Sequence, residues 1–77
     1  MKNYSMFFQY DTIDRIYVGS VLEIPGCTAH GKTQEDAMRE LKTALELWLK
    51  VAKDEGLEIP EPLIYGQTLD TAGINNF

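Results

Sequence analysis

The residues with the types needed for chemistry are few. Cys27 and His30 are the pair to consider for nucleophilic catalysis, in which an imidazole would draw the proton from a thiol. Three residues apart on an extended strand they point to opposite faces, so a thiolate–imidazole contact is not expected. Cys27 is better explained as a buried structural thiol, and His30 as a surface or interface residue. Asp11, Asp14 and Glu23 are the side chains that in two-metal nucleases hold the ions flanking a phosphate. Two of them fall in a hairpin turn and the third follows the next strand, so their spacing brings no convergence and solvated turn residues are expected. The chain has no Gly-rich phosphate loop, CxxC, HExxH or GxSxG. No catalytic, metal or cofactor site is expected, and the chain is not expected to be an enzyme.

The elements that would position these groups begin with residues 3–10, NYSMFFQY. Alternation puts Tyr4, Met6, Phe8 and Tyr10 on a core face and Phe7 among polar neighbours on the other. Residues 11–14, DTID, carry turn chemistry, and 15–22, RIYVGSVL, read as a second strand forming an antiparallel hairpin with the first. Gly19 within it marks a bulge or the close approach of a backbone or large side chain. Pro25 and Gly26 suit the central positions of a type II turn, and residues 27–31, CTAHG, a short third strand.

Residues 33–55 are long and periodic enough to form an amphipathic helix of about six turns. Ala37, Leu41, Ala44, Leu45, Trp48 and Ala52 share one arc, with Arg39, Lys42, Thr43, Glu46, Lys50 and Lys53 opposite. Thr33 is the N-cap, Asp36 supplies a near relative of the capping box, and Gly56 followed by Pro60 marks the stop. The mixed charge of the polar face is not a nucleic-acid stripe. Leu47 and Val51 widen the apolar arc on one flank, Met38 and Leu49 on the other, beyond what one packing partner requires. Leu47 and Val51 are therefore candidates for self-association, with Phe7 and Tyr17 for a second contact on the outer sheet face. Beyond the helix, Pro60 and Pro62 enforce an extended path, and 63–65 is a candidate short edge strand. This order implies an α+β fold, a three- to four-stranded antiparallel sheet with one long helix across one face.

Size and charge narrow the class of function. Seventy-seven residues make one small domain, which buries only about 60% of its unfolded surface. One cysteine and one histidine supply neither a disulfide nor a structural zinc site, leaving self-association as the expected source of extra stability. With no membrane-span or signal-peptide pattern, the chain is expected to be soluble and cytoplasmic. Twelve acidic against seven basic residues, a net charge of −5, oppose direct nucleic-acid binding and suit a basic protein partner.

These features in order resemble the HicB-like antitoxins and their stand-alone relatives. The resemblance is carried by Tyr4 in the first strand, the second strand over 16–21, and Leu22-Glu23-Ile24-Pro25-Gly26-Cys27 with Thr28-Ala29-His30-Gly31-Lys32-Thr33. It continues through Glu35-Asp36-Ala37, Ala44-Leu45-Glu46-Leu47-Trp48-Leu49 and Gly56-Leu57-Glu58-Ile59-Pro60-Glu61-Pro62. Asp36 stands where the family more often has Glu. Pro25, Gly26, Cys27, Gly31, Thr33 and Trp48 are the structural positions this pattern singles out.

The resemblance implies a β-β-β-α-β fold likened to a reduced ribonuclease H fold without retained nuclease activity. It divides the chain into a HicB-like domain at 1–62 and a tail at 63–77 too short for a DNA-binding domain. It further implies a homo-oligomer, dimer or tetramer. Its function would be to neutralise a small basic HicA-like toxin that cleaves messenger RNA, by covering the toxin's RNA-binding surface. The alternatives are an orphan oligomeric structural or regulatory module without a toxin partner and a residual nuclease or thiol enzyme.

Overall fold

The computed structural model describes residues 3–66 of the chain. Three strands, β1 (Met6–Asp11), β2 (Ile16–Val21) and β3 (Thr28–Gly31), precede one helix, α1 (Gln34–Asp54). The strands form one antiparallel sheet in the order β1-β2-β3, with α1 packed across β3 and β2. The expected α+β arrangement is present, in β-β-β-α order.

The hairpin register is set by the β1–β2 turn. One Asp11 carboxylate oxygen accepts the N–H groups of Ile13 (2.9 Å) and Asp14 (3.1 Å), and the Arg15 N–H donates to the Asp11 carbonyl at 2.7 Å. Arg15 takes φ 58°, so it belongs to the turn and not to the second strand as its sequence position suggested. The resulting pairs run from Met6↔Val21 to Asp11↔Ile16 without a bulge. Gly19 lies opposite Phe8, where a Cβ would come within 2.7 Å of the ring, so the close approach foreseen at this glycine is the Phe8 side chain.

The same register corrects the placing of Tyr17. Directly paired residues share a face, and Tyr17 pairs with Tyr10, their rings meeting edge to face at 5.1 Å. Tyr17 thus lies on the face that carries Phe8, Gly19 and Val21. Phe7, paired with Ser20, is on the opposite face, so the two do not form one outer patch.

The β2–β3 connection follows its Pro-Gly chemistry. The Cys27 N–H donates to the Ile24 carbonyl at 3.1 Å across Pro25 and Gly26, and Gly26 adopts φ 92°. Gly31 ends β3 because the helix starts on top of it, where a Cβ would lie 2.5 Å from the Ala37 nitrogen.

Thr33 caps α1 as expected, its hydroxyl oxygen accepting the Asp36 N–H at 3.0 Å. Only half of the capping box forms, because the Asp36 carboxylate pairs with Arg39. At the other end Gly56 takes φ 71°, the Gly56 N–H donates to the Lys53 carbonyl and the Leu57 N–H to that of Ala52, a Schellman closure. Val21, Ile24, Cys27, Leu41 and Leu45 form the buried core, edged by Tyr4, Met6, Phe8, Ala29, Ala44, Trp48 and Leu49.

Residues 63–65 do not form the edge strand that was a candidate there. The Leu63 N–H, which a strand would give to a neighbouring carbonyl, donates to the Glu23 carboxylate at 2.9 Å. The rest of the tail, 67–77, lies outside the described residues.

Candidate protein-binding surface

The groups with chemical types are held apart. Cys27 is buried on the helix side of the sheet, and desolvation raises its thiol pKa, which disfavours the thiolate. His30, paired with Val18, is exposed on the other side, as the strand alternation requires. Asp11 is spent on its own turn, and among the described residues no three His, Cys, Asp or Glu side chains are grouped to hold a metal ion.

Glu23 has a structural task that its sequence position did not disclose. Its carboxylate accepts the Ser5 N–H (2.9 and 3.1 Å), the Ser5 hydroxyl (2.9 Å) and the Leu63 N–H (2.9 Å). It thereby ties the start of β1, the β2–β3 turn and the segment after the helix together. Tyr4 adds a second tie, its hydroxyl donating to the Pro60 carbonyl at 2.5 Å. Partial burial is the largest single influence on the Glu23 carboxyl and opposes ionisation. The Leu63 and Ser5 hydrogen bonds together outweigh it and hold the pKa below the ordinary 4.5.

Among the described residues, apolar area remains exposed. Leu49 is drawn against the core, while Met38 on the same flank of the wide helical arc stays exposed. Leu47 and Val51 on the other flank stay 61% and 41% exposed. They overhang β3 and bound an open groove of about 280 Å³, with Gly26, Cys27 and Thr28 on one side and Ala44 and Trp48 on the other. Trp48, Cys27 and Gly26, singled out as structural, thus also line this groove. Phe7 is 41% exposed on the face that α1 does not cover, and Leu22 is exposed as well.

A groove with apolar walls thus lies beside the β3 edge of a small α+β domain. The chain belongs to the UPF0150-like family, whose model matches residues 8–60, from β1 to just past the helix. It is 39% identical over 54 residues to a UPF0150 protein of Thermotoga maritima, covering 70% of this chain and 72% of that protein. It is 40% identical over 45 residues to a UPF0150 protein of Synechocystis, covering 54% of this chain and 62% of that one. No solved structure matches the chain with significance.

Proposed function

We propose that this protein is an antitoxin-type binding module of HicB-like character, an oligomer that neutralises a small basic toxin by covering the toxin's RNA-binding surface. The observation that carries this reading is a body with net charge −5 and exposed apolar side chains on both sides of its sheet. Negative charge speeds encounter with a basic protein, and uncovered apolar anchors supply the affinity. The HicB-like sequence pattern points the same way, spanning Tyr4 to Pro62 and overlapping the family match. No helix among the described residues is long and apolar enough to cross a membrane.

The test is an RNA-cleavage assay with the small basic protein encoded beside this chain. Messenger RNA is expected to be cut by that protein alone and spared when an equimolar amount of this chain is added. Undiminished cleavage, or the lack of such a neighbour, would leave an orphan oligomer as the better account. The ion-pair nature of the encounter adds a second expectation, that association slows as salt rises from about 0.05 to 0.5 M.

A further inference from the structure

Beyond the helix the chain turns back across the body. The Leu57 N–H closes α1 on the Ala52 carbonyl, and residues 58–66 then run past the start of β1 and the β2–β3 turn. Two side chains of the body meet this segment, Tyr4 donating its hydroxyl to the Pro60 carbonyl and Glu23 accepting the Leu63 N–H. Both contacts are hydrogen bonds. Apolar burial contributes little: none of residues 57–66 is buried, none belongs to the core or to the side chains edging it, and Leu57, Leu63, Ile64 and Tyr65 are all exposed.

A segment fastened by polar contacts to a core that it does not help to fill can leave without unfolding that core. Its fastening stays set while it is away. The Ser5 N–H and hydroxyl that bond the Glu23 carboxylate belong to the body, and the Leu63 N–H belongs to the segment. The carboxylate therefore remains aimed whether the segment is on or off. Stiffness lets the segment move as one piece: Pro60 and Pro62 fix their own φ and bias Ile59 and Glu61 toward extended backbone, so little conformational freedom is lost on its return.

We propose that residues 58–66 are a strap with Glu23 as its catch, opening and closing as one unit on a body that stays folded. Opening bares the Tyr4 hydroxyl and the side of the Glu23 carboxylate that Leu63 occupies, two polar groups beside the start of β1. The device belongs to the chain alone and does not depend on which partner it meets.

Amide hydrogen exchange followed by NMR on the full chain, in water and in urea too dilute to unfold it, tests the strap. The Leu63 N–H is expected to exchange by local opening, faster than the Leu45 N–H within α1 and at a rate that urea hardly changes. Leu45 exchange should rise steeply with urea, because it requires the whole surface of the fold to open. Glu23→Gln is expected to speed Leu63 exchange about tenfold. Tyr4→Phe, which keeps the ring and drops the Pro60 bond, should speed it about fivefold, although that bond lies three residues away from Leu63. Thr33→Ala, which weakens the helix cap, is expected to speed Leu45 exchange about fivefold and to leave Leu63 unchanged. A Leu63 amide that tracks Leu45 in urea and in all three variants overturns the strap, and a Leu63 rate unchanged by Tyr4→Phe overturns its opening as one unit. Where Glu23→Gln does not fold, Tyr4→Phe and the urea dependence of the wild type decide.

Discussion

Glu23 shows how one side chain can serve as a tertiary fastening. Hydrogen bonds to a charged acceptor contribute about 1.5–3 kcal/mol each when well shielded, and less where water reaches them. Glu23→Gln keeps one acceptor oxygen but loses the charge, so it is expected to lower stability by about 1–2 kcal/mol in urea unfolding. Because the folded carboxyl titrates below 4.5, its contribution is complete above that pH and is lost as pH falls through the folded value. The wild-type advantage over Glu23→Gln should therefore be full at pH 6 and vanish on acidification well below pH 4, and a pH-independent gap would contradict the assignment. None of this was legible in the sequence, since Ser5 and Leu63 lie 18 and 40 positions away from Glu23. By contrast, the opposite facing of Cys27 and His30 followed from strand alternation, and the burial of Cys27 from its residue type.

At the scale of elements, what was legible was what local chemistry decides. Pro25 with Gly26 made the turn, Thr33 opened the helix and Gly56 closed it, because each acts through neighbours within five residues. Tyr17 was placed on the wrong face because strand parity depends on how many residues the preceding turn consumes, and Arg15 in left-handed conformation is one of them. The short edge strand at 63–65 was displaced by a side-chain acceptor that no local pattern announces. Two expectations belong here. Thr33→Ala should cost about 1 kcal/mol in thermal or urea unfolding by freeing the Asp36 N–H. Gly31→Ala should cost more, about 1–3 kcal/mol, because its Cβ meets helix backbone that cannot swing aside; a neutral Gly31→Ala would show that the helix start is not seated on β3.

The whole molecule combines two kinds of surface that salt should separate. Copies carrying −5 each repel at long range, so the proposed self-association should strengthen as salt rises. Binding of a basic partner should weaken over the same range. The surplus apolar arc of α1 was visible as a pattern, but which of its residues the core would absorb was settled only by packing, which took Leu49 in and left Met38, Leu47 and Val51 out.

The central claim is that other polypeptides cover these surfaces. The most direct measurement is the sedimentation mass of the full chain, alone and mixed with the proposed small basic toxin. The account predicts an oligomer alone and a heavier stoichiometric complex in the mixture, whereas a monomer that stays a monomer in both cells would contradict it.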